Sequence, residues 1–392
     1  MKTNRGPILF LLALVSVSAG SVSAHAAWVT QQVDTLNDVG LLTSIALDSG
    51  GVPHISYYDQ THFCLKYASP SGGYWSTELV DQGNVGAYNS LAISGNVPHI
   101  SYTSYDPIQQ IVNGVKYAYW NGTGWTTQFV QAASNVGEYT SLAVDSLGRP
   151  RISYFDRGAG ALKYAAYDGS AWNIQTVDTG ETGLYTSLKL DSSGNPRIAY
   201  HDDASGTLRY AAWDGTAWHY TTVDASAHVG AHPSLALTSA GDPIISYFDS
   251  TNTDLKLAMF YANDWHVGAV DTAGIVGFGN SLALDPDTDW PRIAYASGDP
   301  ASDTDLKFAY WNETDKKWTY DTVDQPGVVG EFPSLALDPA TGAPMISYYD
   351  RTNGDLKIAA PAGFAMPEPA TLGLVALGAT AVWTRRKGAR RR

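Results

Sequence analysis

Short runs in which large apolar and small or polar side chains alternate recur along this chain, each closed by a turn rich in Gly, Asp, Asn and Pro, and they predict strands. The clearest reads Ser-Leu-Ala-Leu-Asp or a close variant. It opens at Ser44, Ser90, Ser141, Ser187, Ser234, Ser281 and Ser334, a spacing of 46 to 53 residues. A second segment starts at a proline in every unit (Pro53, Pro98, Pro150, Pro196, Pro243, Pro291, Pro344) and ends in tyrosine (Tyr57, Tyr102, Tyr154, Tyr200, Tyr247, Tyr295, Tyr348). Proline at a strand start removes no ladder hydrogen bond. A third, Leu-Lys-Tyr-Ala or a variant, begins at Leu65, Val115, Leu162, Leu208, Leu255, Leu306 and Leu356, and a fourth runs from a tryptophan to a valine at 75–80, 125–130, 172–177, 218–223, 265–270 and 318–323.

The seventh unit stops after residues 356–359 without a fourth segment, whereas a Trp-to-Val segment at 28–33 has no unit before it. The counts balance only if residues 27–43 supply the outermost strand of the blade begun at Ser334. The pattern therefore predicts an all-β, seven-bladed β-propeller over residues 27–360, with four antiparallel strands per blade and the last blade closed by the N-terminal strand. Closure removes the open edge of a linear array, and a solenoid would need distinct caps in place of complementary halves. Each blade is covered on both faces, so the recurring Tyr and Trp read as packing between blades. The units resemble those of secreted bacterial propellers built of Ser-Leu-Ala-Leu-Asp, Ile-Ser-Tyr-Tyr-Asp and Leu-Lys-Tyr-Ala segments, a resemblance that implies architecture only.

The two ends read as addresses. Residues 1–26 carry a basic start (Lys2, Arg5), an apolar run and small residues ending Ala24-His25-Ala26, the form of a secretory signal cleaved before Ala27. At the other end a link at 361–365 leads to Pro367-Glu368-Pro369, a short apolar stretch expected to be helical over 370–384, and an arginine cluster; the apolar stretch is short for a stable span. Cationic residues after it would stay on the cytoplasmic side. Residues 366–392 resemble the PEP-CTERM sorting signal of Gram-negative bacteria. The resemblance implies transient insertion in the inner membrane, processing by an exosortase, and release to a cell surface or matrix associated with extracellular polysaccharide.

The net charge of −14 understates the body, because eight of the 24 basic residues lie at the two ends and leave 16 against 38 acidic ones. Such a body repels nucleic acid and anionic lipid. A single cysteine, Cys64, excludes a disulfide framework and reads as a small buried apolar residue.

In five units an aspartate stands two residues after the tyrosine (Asp59, Asp156, Asp202, Asp249, Asp350), and a basic residue follows seven positions later (Lys66, Lys163, Arg209, Lys256, Lys357). These predict ion pairs across one hairpin. The outer-to-inner connections read Val-Gly-x-x-x-Ser in most units, and two residues after the glycine lie Leu42, Tyr88, Tyr139, Tyr185, His232, Gly279 and Phe332. In a propeller these connections share one face with the second-to-third-strand turns. Tyr88, Tyr139, Tyr185, His232 and Phe332 are therefore expected to meet the five aspartates at the channel mouth, where aromatic faces and carboxylates suit a sugar.

Repetition itself argues against catalysis, which needs one asymmetric cluster. The expected function is a secreted, surface-sorted, non-catalytic binding or matrix protein, with a propeller glycosidase or polysaccharide lyase, or a structural envelope component, as alternatives. Units two and six carry insertions, at 103–113 and at 285–289 with 299–305. The aspartates of unit six lack the central glycine and distal glutamate of a calcium loop, so they read as solvated turns; no cofactor is expected, and calcium is the one cation they suggest. Arg151, Arg197 and Arg292 repeat one slot at the end opposite the mouth, which argues against a sialidase-like arginine triad.

Overall fold

Seven four-stranded antiparallel sheets stand in a ring in the computed structural model, which describes residues 27–106, 109, 111–364 and 366–367. Each blade runs from an inner strand outward; blade 4, for example, comprises Thr182–Leu190, Pro196–Asp202, Thr207–Trp213 and Trp218–Asp224. The seventh contains Val329–Leu337, Pro344–Asp350 and Asp355–Pro361, and its outer strand is Trp28–Asp34 from the start of the body. That strand pairs antiparallel with Trp28 opposite Pro361 and Gln31 opposite Ile358. The divided repeat thus closes the ring as the counts require. The leader, with Ala24 and Ala26, and the sorting tail from Glu368 onward, Pro369 included, lie outside the described residues. Among the described residues no helix is long and apolar enough to cross a membrane. Phe364 of the expected link and Met366 at the start of the expected tail lie against the core at the junction of blades 7 and 1, and Gln31 Nε2 donates to the Pro367 carbonyl.

The core is divided among the junctions between blades. Leu65, Tyr67 and Val80 of blade 1 pack with Val85, Leu91, Ile100 and Tyr102 of blade 2, and comparable clusters fill the other junctions. Five outer-strand tryptophans pack edge-on against a third-strand aromatic of the preceding blade, as in Trp125 on Tyr67 (5.0 Å) and Trp28 on Phe308 (5.2 Å), while Trp75 and Trp318 pack in clusters with Ile358 and Leu257. All seven strand-ending tyrosines are fully buried.

Polar contacts set the order of the ring. The serine that opens each unit accepts a hydrogen bond from the backbone of the next: Leu91 N–H donates to Ser44 Oγ at 3.0 Å, and the series continues until Ile45 N–H donates to Ser334. One residue earlier, side chains match across each junction. Ser56 meets Asn89, Ser101 meets Thr140, Ser153 meets Thr186, Ser246 meets Asn280 and Ser347 meets Thr43, at 2.5–2.8 Å. Where the second strand has alanine instead, at Ala199 and Ala294, the next blade presents Pro233 and Pro333, so no buried hydroxyl lacks a partner there.

The five expected hairpin ion pairs form, but they are not the shortest contacts of their bases. Lys66, Lys116, Lys256 and Lys357 make their shortest contacts with Asp34, Asp81, Asp224 and Asp324, at the end of the preceding blade's outer strand. Arg209 likewise reaches Asp178 at 2.6 Å. The same carboxylates accept from the buried tyrosines, for example Tyr57 to Asp34 and Tyr247 to Asp224, both at 2.7 Å. The hairpin aspartates are the farther partners, at 4.0 Å for Lys66 with Asp59 and 3.6–3.7 Å for the other four pairs. The hairpin register explains this: Lys66 stands opposite Tyr57, and Asp59 opposite Cys64. At the far end of the blades, Arg151 and Arg197 bond Asp145 and Asp191 at 2.8 Å, and Arg292 pairs with Asp285, so the three arginines serve local pairs.

The Val-Gly of the connections has a steric cause. Gly230 sits at φ +85°, and a Cβ there would fall 2.7 Å from the Leu208 Cα of the preceding blade. The inner strand can approach its neighbour's third strand only without a side chain at this point.

Candidate functional site

Immediately after that glycine the inner strand bulges, and the bulge turns one residue per blade toward the channel axis. Leu42, Tyr88, Tyr139, Tyr185, His232, Gly279 and Phe332 all line a cavity of about 210 Å³ at one mouth. Tyr88, Tyr139, Tyr185 and His232 form a continuous arc, with ring centroids 4.6, 4.4 and 4.1 Å apart along it. Phe332 stands beyond Gly279. The six residues other than glycine hold left-handed backbone, with φ between 49° and 55°. For a tyrosine or phenylalanine this conformation costs of order 1 kcal/mol, and strain of this kind concentrates at sites of function. Glycine would hold the bend without strain, yet the chain places four large rings there.

The aromatic half of the expected site is thus assembled. The acidic half is not: none of the five aspartates lines the mouth. Each sits in its second-to-third-strand turn and accepts backbone N–H bonds, from His62 to Asp59, Ala159 to Asp156, Ser205 to Asp202, Thr251 and Asn252 to Asp249, and Asn353 to Asp350. A short acceptor at the head of a tight turn satisfies local donors first, so these carboxylates are already engaged. Two aspartates of unit six are engaged too: Asp285 accepts from the backbone of Asp287 and Thr288, and Asp289 from Ser239 of the neighbouring blade. Cys64 is buried, and burial, with Asp59 adding, pushes its thiol up to about 11.

One blade departs from the rest. Between blades 4 and 5 a cleft of about 530 Å³ is lined by Tyr185, His201, Asp203, His228, Ser250 and Thr251 among others, and it shares Tyr185 with the mouth. The strand position of His201 holds Tyr58, Phe155, Phe248 and Tyr349 in four other blades. Its Nδ1–H donates to the Val229 carbonyl at 3.0 Å, which leaves Nε2 as an acceptor 3.8 Å from Asp203 Oδ1. Burial lowers the pKa of His201, and burial with His201 nearby takes His232 down to about 4, so both rings are neutral at physiological pH. Sequence reasoning missed His201, His228 and Asp203. The signal was present as a histidine where four other blades carry Tyr or Phe and two carry Thr103 and Ala296, but it shows only when the seven units are superposed residue by residue.

No family model matches the chain, and no curated protein matches it. Solved structures are similar in fold. They include a polysaccharide lyase, ulvan lyase, at TM-score 0.61 and 12% identity, over 84% of this chain and 95% of that one. The lectin SapL1, solved with alpha methyl fucoside, aligns at TM-score 0.51 and 16% identity over 74% and 98% of the two chains. A protein of unknown function from Dyadobacter fermentans aligns at TM-score 0.51 and 10% identity over 84% and 97%. Identities this low establish the shared fold alone.

Proposed function

We propose that this chain is an exported, surface-sorted propeller that binds extracellular polysaccharide at its channel mouth and does not cleave it. The observation that carries the reading is the strained aromatic arc from Tyr88 to His232, which offers aromatic surface for the C–H faces of a sugar at the channel mouth. A lectin and a polysaccharide lyase among the fold neighbours agree with a glycan ligand. Two features favour binding over chemistry. Glycoside hydrolysis commonly uses two facing carboxylates, and Asp203 is the one carboxylate among the described lining of either cavity. An anionic substrate would call for a cation, and neither lining contains lysine or arginine.

Export and sorting belong to the same proposal. The leader would be removed before Ala27, which frees residues 27–43 to close the ring, and the tail with Pro367, Glu368 and Pro369 would be processed by an exosortase. Mass spectrometry of the secreted protein checks both ends: an N-terminus at Ala27 and loss of the apolar tail are expected, and an intact tail in the exported protein would refute the sorting step. For the binding step, polysaccharide from the host surface should retain the purified protein, and Tyr139→Ala with Tyr185→Ala should release it while leaving the melting temperature close to that of the parent. Retention unchanged by the double substitution would refute the mouth as the site.

A further inference from the structure

The mouth repeats around the ring, but a ligand that reads sequence in a glycan needs one place where the ring is not symmetric. Blade 4 supplies it. Three side chains that differ from their counterparts in the other blades converge on the same cleft: His201 where four other blades carry Tyr or Phe, Asp203 where blades 3 and 7 carry Arg157 and Arg351, and His228 on the inner connection of blade 5. In blades 3 and 7 those arginines pair with Glu138 and Glu331 of their own blade at 2.6 and 2.7 Å. In blade 4 the acidic partner is absent, since Leu184 stands at the position of Glu138 and Glu331, and an open cleft lies beside Asp203.

We propose that this cleft is the specificity subsite of the ring, one per chain, and that it takes a neutral pyranose unit through two adjacent hydroxyl groups. The inference rests on the glycan-binding reading above. The chemistry follows from the donor inventory. His201 has its Nδ1–H committed to the Val229 carbonyl, so it presents Nε2 as an acceptor, and Asp203, whose side chain is 65% exposed, presents only acceptors. Two acceptors 3.8 Å apart with no proton between them do not satisfy each other. A pair of neighbouring hydroxyls can donate one bond to each. Tyr185, shared with the mouth and 6.4 Å from the His201 ring, offers the face on which the same sugar stacks. The remaining units of the chain then follow the arc toward Tyr139 and Tyr88. A uronate or sulfate would meet the Asp203 carboxylate with no compensating cation in the lining, so the subsite selects against charged sugars.

The repeat itself supplies the substitutions. His201→Phe restores the residue of blades 3 and 5, and Asp203→Arg restores that of blades 3 and 7. The test is calorimetric titration of the purified protein and both variants with neutral gluco-, manno- and galacto-oligosaccharides, with oligogalacturonate as the anionic counterpart. Melting temperatures confirm that each variant is folded. The proposal expects one site per chain for a neutral oligosaccharide and at least a tenfold loss of affinity in each variant, the range for removing hydrogen bonds to a charged or fixed acceptor. Binding of a neutral glycan that both variants leave unchanged but Tyr139→Ala weakens would overturn the subsite and leave the mouth reading standing. Preferential binding of oligogalacturonate would overturn the selection for neutral sugars. Failure of every sugar to bind the parent protein would overturn the subsite together with the function on which it rests.

Discussion

Asp224→Asn should cost the ring about 2 kcal/mol at neutral pH and almost nothing in strong acid. Asp224 ends the outer strand of blade 4, is 7% exposed, and accepts from Lys256 Nζ at 2.5 Å, Tyr247 Oη at 2.7 Å and Ser226 N–H at 3.0 Å. Burial works to raise its pKa, but Lys256, Tyr247 and Ser226 outweigh it and hold the carboxyl at about 2, against 3.8 for the free side chain. At about 1.4 kcal/mol per pKa unit, that difference corresponds to about 2 kcal/mol. A depressed aspartate stabilises the fold above its unfolded pKa, and the contribution disappears as pH falls through the folded value. The gap between parent and variant should therefore be full above about pH 4 and close as pH approaches 2. Guanidinium unfolding followed by tryptophan fluorescence at several pH values measures it. A gap that stays constant from neutral pH to about pH 2, or one below about 0.5 kcal/mol at neutrality, would refute the assignment of Asp224 as the charged centre of the junction. Blade 2 contains a natural comparison: Gln131 stands at this position, and Lys163 of blade 3 turns instead to Thr176 at 2.7 Å. Gln131→Asp should add stability with the same acid dependence.

The other predictions concern the ring and its mouth. Gly230→Ala should destabilise by about 2 kcal/mol or more, since it combines a left-handed backbone with a Cβ 2.7 Å from the Leu208 Cα; an unchanged melting temperature would contradict the close approach. Deleting residues 27–34 should abolish cooperative unfolding of blade 7, read by hydrogen exchange at Asp355–Pro361, because the exposed edge loses its partner strand. Glycan binding should weaken as pH falls toward 4, where His232 gains its proton. Calcium should leave the melting temperature unmoved, because Asp285 and Asp289 of unit six already accept backbone bonds.

The fold was legible because a propeller repeats its hydrophobic pattern in phase with its geometry: seven serines, seven prolines and seven tyrosines mark the same three places in each blade, and the orphan segment at 28–33 names its own partner. The aromatic mouth was legible for the same reason, as a fixed offset from the connection glycine. The acidic half of the expected site failed on competition. Asp59 and its counterparts read as free carboxylates in a turn, whereas the turn's own N–H groups claim them. The junction carboxylates Asp34, Asp81, Asp178, Asp224, Asp271 and Asp324 were passed over because each follows its valine at a strand end, and its tyrosine and base lie more than twenty residues away on the next blade. The Ser-with-Thr/Asn and Ala-with-Pro matches were equally present in the sequence. They become visible only once the structure shows which residue of one unit meets which of the next.

The most direct test of the account is a crystal structure of the protein with a neutral oligosaccharide that it binds. The account predicts one sugar in the blade 4–5 cleft, stacked on Tyr185 with adjacent hydroxyls on His201 Nε2 and Asp203, and further units over Tyr139 and Tyr88. Sugar bound on the outer strands, or at the opposite end of the channel beside Arg151 and Arg197, would contradict it.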